Sequence, residues 1–450
     1  MVIAIMKVLL IIISIIFLLS LSLYSLSFIL SGNNLTALAQ QDLETIKYRN
    51  MVIDLGDGIK TNAQLTIPAV GNGPFPGALL ITGSGAEDMN ASAIFIRIDN
   101  ATGTKIYPPI PFFQIAEYLS DRGFVTLRYD KRGIGENHTI VDSNVWGNMT
   151  INDLVQDANK ALAVLMKQPE VDPNRITVLG HSEGTVISPR VAIDNPGKVK
   201  NIVLMGAAAQ NISEIIDFQL VTLPLLYSKQ VLDKDHSGLL SVQEASEDLT
   251  FQSFIGGNLS LILKQENLKN DTIKPEYNPN NDTYINIETE LKPVLIKLAK
   301  SFPFPLPSSI SSSESSEKCT SLEGCQMWYN SFVAFEPNLN TISKVPSTTS
   351  ILIVNGENDT QTPVEGALLL QQKLTEVNHP DHILITYPNL GHEFYPSSQW
   401  KSQHGPIQQY VLADIYSWLE AHNGFTPLTI SSSSSSLSSN TTKILTSSFH

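Results

Sequence analysis

Three residues far apart in the chain have the types and the order needed for acyl transfer: Ser182 in "GHSEG", Asp359 in "NGENDTQTP" and His392 in "NLGHEF". A serine hydroxyl is a poor nucleophile at neutral pH, so it needs a base, a group that orients the base, and donors for the oxyanion. Gly180 and Gly184 flank Ser182 directly after the run "ITVL", the spacing that a sharp strand-to-helix turn requires. Asp359 follows the apolar run "ILIV", with Glu357 as its rival for the orienting role, and His392 follows "ILITY". The oxyanion would be held by the backbone N–H of Glu183 and by a second N–H from the turn "TGSG" at residues 82–85. Ser84 is the expected second donor, Gly85 its neighbour. His181 should pack against or cap the turn. Arg128, Asp130 and Arg132 should brace the bend around Gly133, and His138, His236, His379 and His404 are expected at the surface.

A second stretch carries a different chemistry. "DKDHSGLLSVQE", residues 233–244, matches the calcium loop of an EF-hand. Asp233, Asp235 and Ser237 would supply side-chain oxygens, Leu239 its carbonyl, Ser241 a water-bridged contact and Glu244 both carboxylate oxygens; Gly238 permits the bend. "NPNNDTYINIETE" near residue 278 looks like a degenerate partner loop, without the central glycine and with neither Glu288 nor Glu290 in register. The expected role of calcium is structural, since serine chemistry needs no cofactor.

These residues must be positioned by a scaffold. From Tyr48 onward, buried-looking strands ("FPGALLI", "GFVTLRY", "NRITVLG", "VKNIVLM", "TSILIV", "HILITY") alternate with amphipathic helical stretches such as "INDLVQDANKALAVLMKQ". That alternation predicts a mostly parallel sheet with helices on both faces. "MVIDLGDGIKTNAQLTIP" reads as a hairpin turning at Gly56-Asp57-Gly58. Residues 209–345 break the pattern with helical patches and polar links. Residues 45–208 and 346–424 together have the size of one α/β domain, so 209–345 reads as an inserted, mainly helical cap. The Ser-rich end, 429–450, lacks the apolar residues for a core.

The set "ITGSGAED", "LRYDKRGIG", "GHSEG", "GENDTQTP" and "NLGHEF" resembles the α/β-hydrolase superfamily, especially its carboxylesterase branch with a Gly-Ser-Gly oxyanion turn. The resemblance implies an α/β-hydrolase fold and hydrolysis of ester-type substrates. It carries no substrate identity, because the cap normally sets that. A small-molecule ester is the expected substrate. The same machinery would serve a serine peptidase or amidase, and a calcium-binding surface protein with an inactive hydrolase core is the alternative of a different class.

Composition bounds the setting. A formal net charge of −14 argues against nucleic acid as partner, because phosphate binding needs clustered Lys and Arg. Residues 8–30 carry no charge and could cross a bilayer. Ala37-Leu38-Ala39 fits the pattern of a signal-peptide cleavage site, so 1–39 reads as a cleaved export signal or as a retained membrane anchor. Either places the folded part outside the cell or on its surface. Cys319 and Cys325, the two cysteines of the chain, are close enough for a small disulfide loop in an oxidising compartment. Eleven Asn-x-Ser/Thr sites are compatible with glycosylation. Oligomeric state has no signature in the sequence.

Overall fold

The computed structural model describes residues 45–92, 97–98, 105–106, 110–254, 263–264, 272–273, 283–302 and 324–424. The expected export or anchor segment (1–39), the Ser-rich tail and Cys319 lie outside the described residues. Among the described residues no helix is long and apolar enough to cross a membrane.

Eight strands form one sheet: β1 (Ile46–Gly56), β2 (Ile59–Pro68), β3 (Phe75–Ile81), β4 (Val125–Tyr129), β5 (Val171–His181), β6 (Val199–Met205), β7 (Ser350–Gly356) and β8 (His382–Tyr387). Their spatial order is β1-β2-β4-β3-β5-β6-β7-β8. β1 and β2 pair antiparallel, and β2 joins β4 antiparallel. All later pairings are parallel. The hairpin turns through Asp57 and Gly58, both with positive φ, which suits a tight two-residue connection.

Every residue of β3, β4 and β7 is buried, as expected of strands covered on both faces. Neighbouring residues part to opposite sides. Leu79, Val178, Ile202 and Ile351 join one core with α2 (Ile151–Met166), α3 (Glu183–Asp194) and α4 (Val364–Glu376). Leu80, Leu179, Val203 and Leu352 join the other with α1 (Pro111–Ser120) and α5 (Gln409–Asn423). The two-residue side-chain period of a strand produces this division. Local signals set the helix ends: Thr150 and Asp153 form a reciprocal capping box on α2, and Gly424 closes α5 in the left-handed region.

Between β6 and β7 the chain builds the cap. Its first part is a continuous helical stretch, 212–232, interrupted by π turns at Phe218–Thr222 and Ser228–Leu232. A distal lobe has its own apolar cluster, including Leu225, Leu240, Phe251, Ile285 and Leu295. By contrast, Ile212, Ile215, Ile216, Trp328 and Phe332 belong to the main core.

One stitch between cap and core has a local cause. Pro189 lies inside α3 and has no N–H to give the Thr185 carbonyl four residues earlier. Asn338 of the cap, fully buried, donates its side-chain amide to that carbonyl at 3.0 Å and to the Ala208 carbonyl at 3.1 Å.

Candidate active site

Ser182 sits where β5 turns into α3, with φ 55° and ψ −117°, a conformation that a non-glycine residue adopts at a cost of about 1–3 kcal/mol. Its neighbours explain how the turn survives. A Cβ on Gly180 would run into the Gly184 carbonyl, and one on Gly184 would strike the Ile81 carbonyl of β3. The Ser182 N–H is tied to the Met205 carbonyl at 2.9 Å. Thr185 donates its hydroxyl to the Ser182 carbonyl at 2.6 Å and accepts the Ala208 N–H at 3.0 Å.

Asp359 and His392 come from the loops after β7 and β8 and are both buried. Asp359 Oδ2 lies 2.8 Å from His392 Nδ1. Three more donors hold the carboxylate: the Gln361 and Thr362 N–H groups at 2.8 and 2.9 Å, and the Thr362 hydroxyl at 3.0 Å. Glu357 is exposed, and its carboxylate accepts from Thr386, so the geometry separates the two acids. Burial pulls the His392 imidazole toward neutrality. The Asp359 charge and hydrogen bond, helped by Glu393 and Glu87, outweigh this and leave its pKa raised. Ser182 and His392 line one cavity of about 410 Å³. Among the described residues no hydrogen bond joins them; such bonds often tighten only when substrate arrives.

Two glycines, Gly83 of the "TGSG" turn and Gly206, which has no place in the motif reading, lie against this group. A Cβ on Gly206 would lie 3.0 Å from His392 Cε1, and one on Gly83 would lie 3.2 Å from Ser182 Cβ. His181 does pack as expected. Its Nε2–H donates to the His392 carbonyl at 3.1 Å, and the two rings lie 4.6 Å apart. Burial, then the neighbouring His392, lower its pKa to about 4.

Lys131 and Glu87 hold the turn that is expected to supply an oxyanion donor. Lys131 Nζ donates to the Gly83 carbonyl, to the Gly85 carbonyl at 3.0 Å and to Glu183 Oε1 at 2.7 Å. The other Glu183 oxygen accepts the Trp328 indole N–H at 2.6 Å. Glu87 Oε2 accepts the Gly83 N–H at 2.8 Å. Burial pushes the Glu87 pKa up to about 7 against the pull of Lys131 and of that N–H.

The cavity wall is divided. Ile212, Ile215, Ile216, Leu220, Phe302 and Phe332 form its apolar side from the cap; Glu87, His138, Glu393 and His404 stand on the core side. His138 therefore does not belong to the surface: it is 8% exposed, with Nδ1 bonded to the Ala86 carbonyl at 2.8 Å. His379 is also buried, because its N–H folds back onto the Leu374 carbonyl at the end of α4. His404 pairs with Glu393 at 2.6 Å at the cavity rim, while His236 is exposed. The charged bracing differs in detail from the expectation. Arg132 makes a two-point bond to Asp157 of α2, and Arg128 reaches Asn90 and Gln64. Asp130 accepts the Met89 N–H at 2.7 Å.

In the cap, Asp233 accepts the Ser237 and Gly238 N–H groups, each at 2.9 Å, and Asp235 also accepts from Ser237. Gly238 has φ 78°. Leu239–Ser241 pairs antiparallel with Tyr284–Asn286, Leu240 opposite Ile285. Glu244 instead bonds the Ser241 hydroxyl at 2.8 Å within the following turn. Among the described residues no three His, Cys, Asp or Glu side chains gather closely enough to hold a metal. Cys325 is disulfide-bonded and precedes the helix Gln326–Val333 that carries Trp328. Of the expected glycosylation sites, Asn137 and Asn148 are exposed; Asn358 uses its amide to bond the Ser397 carbonyl at 2.7 Å.

Comparison with known proteins finds similarity to hydrolases over parts of the chain. Residues 111–249 match a family model described as serine aminopeptidase, S33, and residues 314–414 one described as TAP-like protein. Esterase EstD of Thermotoga maritima is 32% identical over 158 residues, which is 35% of this chain and 32% of that one. The match thus spans about a third of that curated relative. Among solved structures, a lipase in an open form covers 84% of this chain and 100% of its own, with a TM-score of 0.48 at 14% identity. A hypothetical protein from Pseudomonas aeruginosa covers 84% and 94%, with a TM-score of 0.45 at 13% identity.

Proposed function

We propose that this chain, whose fold is that of the α/β-hydrolases, is an exported serine hydrolase that cleaves carboxylic esters. The observation that carries the reading is the strained Ser182 turn in one cavity with the Asp359–His392 pair. Asp359 accepts a hydrogen bond from the Nδ1–H of His392, which fixes the tautomer with Nε2 bare and able to accept a proton. His392 would take the Ser182 proton as Oγ bonds the acyl carbon. The tetrahedral oxyanion would be held by the Glu183 and Ser84 N–H groups. The imidazolium then returns its proton to the leaving alcohol as the carbon–oxygen bond breaks. Water, deprotonated by the same histidine, releases the acid.

The apolar cap wall beside Ser182 suits a hydrophobic acyl or alcohol group. A second reading, hydrolysis of amides that bear a free amine, is favoured by Glu87 and Glu393, since no Lys or Arg stands among the described residues lining the cavity. For the cap loop we propose calcium held by Asp233, Asp235, Ser237, the Leu239 carbonyl, Ser241 and Glu244. This is an all-oxygen set of the kind that cation prefers; its contribution would be stiffness of the distal lobe. A disulfide between Cys325 and Cys319, the other cysteine of the chain, fits an exported protein.

The test is hydrolysis of nitrophenyl esters from acetate to long-chain, beside nitroanilides, by the full chain and by Ser182→Ala. Expected is ester turnover that falls by at least about 10³-fold in the variant. Equal activity in both proteins would reject the serine mechanism, and turnover confined to nitroanilides would favour the second reading.

A further inference from the structure

The expected oxyanion donors, Ser84 and Glu183, come from two separate segments, and a single side chain ties both. We propose that Lys131 and Trp328 are positioning residues that carry the seating of the cap into the geometry of the oxyanion hole. The inference rests on the serine-hydrolase reading above.

A trans peptide is planar, so its C=O and the following N–H point in opposite directions. Lys131 grips the Gly83 carbonyl and thereby fixes the direction of the Ser84 N–H in the same peptide unit. It also grips the Gly85 carbonyl on the other side of Ser84. The third proton of the ammonium goes to Glu183 Oε1. The donor capacity of the group is then full, leaving it no free proton for a substrate.

Glu183 is the residue whose N–H, at the start of α3, has no partner within the helix. Its carboxylate is stretched between Lys131 and Trp328, and the three side chains are all buried: the residues are 4% (Lys131), 3% (Glu183) and 2% (Trp328) exposed. Trp328 comes from the cap, whereas Glu183 and Lys131 come from the core. The linkage therefore runs from the cap indole through the Glu183 carboxylate and the Lys131 ammonium to the carbonyls of the oxyanion turn. In this shielded setting charged hydrogen bonds are strong and directional. Were the cap only a lid over the cavity, it would have no need to bond the residue next to the nucleophile. Removing the indole N–H should loosen Glu183 and let Lys131 relax its hold on Gly83.

The test uses Trp328→Phe, which keeps an aromatic ring but loses the donor, with Lys131→Met as a second variant, both in the full chain. The readouts are kcat and KM on a nitrophenyl ester, binding of an aryl boronic acid (which mimics the tetrahedral adduct), and Tm. Expected for Trp328→Phe is a kcat about 10-fold lower with KM within about 2-fold and boronate binding weakened in parallel, since donor placement acts on the transition state. Lys131→Met should lose about 10²-fold or more in the same pattern. Undiminished kcat and boronate affinity in Trp328→Phe would overturn the proposal. So would a loss confined to KM or to Tm. A wild-type chain that hydrolyses no ester and binds no boronate would remove the reading of the site itself, and this inference with it.

Discussion

Two turns in this molecule look alike in the sequence and behave differently in the fold. "TGSGAED" at residues 82–88 and "DKDHSG" at 233–238 are both short, glycine-containing and acidic. In the first, a local bond from the Gly83 N–H to Glu87 is joined by a partner from elsewhere: Lys131 is 46 residues from Gly85 and 52 from Glu183. In the second, the Asp233 and Asp235 carboxylates accept the Ser237 and Gly238 N–H groups, and Glu244 accepts from the Ser241 hydroxyl three residues away. The first turn is held by long-range bonds from Lys131 in addition to its local ones. The second is held by its own turn and by the ribbon to Tyr284–Asn286. Convergence of distant groups is what marks a turn as built for one geometry.

The sharpest way to break this contrast is at the reaction proposed for the first turn. Asp359→Asn should cost about 10⁴-fold in kcat, because the histidine loses its orientation and tautomer; nitrophenyl ester kinetics would read it. The wild-type pH profile belongs to the same experiment. The proposed mechanism needs neutral His392, whose pKa is raised, so kcat/KM should rise with pH through a midpoint above the ordinary value of about 6.5. A midpoint below that value would show that burial, not Asp359, governs the imidazole.

A smaller effect is expected where the fold only makes room. Gly206→Ala would place a methyl group 3.0 Å from His392 Cε1 at a residue with φ 60°. Displacement of the ring should lower kcat by about 10²-fold, with Tm reduced less than a core truncation would cause. Unchanged kinetics would mean that the ring has slack to move.

The smallest effect belongs to the second turn. Calcium at millimolar concentration should raise Tm by about 2–4 °C, and Asp233→Ala should abolish that rise while kcat stays within about 2-fold. Isothermal titration showing no calcium uptake by the wild-type chain would remove the loop from consideration as a metal site.

How much of this was legible beforehand depends on the range of the interactions. The sheet was legible because "ALLI", "ITVL", "IVLM" and "ILIV" are continuous apolar runs, a pattern that strands buried on both faces impose. Ser182, Asp359 and His392 were legible because each lies at the end of such a run and in one order. Lys131, Trp328, Thr362 and Gly206 were not, since nothing near them in sequence indicates their partners. His138 was misread for the same reason: "ENHT" is polar throughout, yet its ring is tucked against the Ala86 carbonyl. The cap's fold was the least legible part. Its helices are short, and the π turns that shift their faces leave no clear 3.6-residue stripe.

Pro189 and Asn338 have a consequence for engineering. A cap inserted between two strands invites exchange: cut at 209 and 345, and graft another to change what the enzyme accepts. Here the graft would leave a proline-made gap in α3 without its amide, the Ala208 carbonyl without its partner, and Glu183 without the indole. Each vacancy is a buried polar group costing about 1–3 kcal/mol. Successful chimeras should therefore keep the segment from Gln326 to Thr341 and exchange only the distal lobe that precedes it.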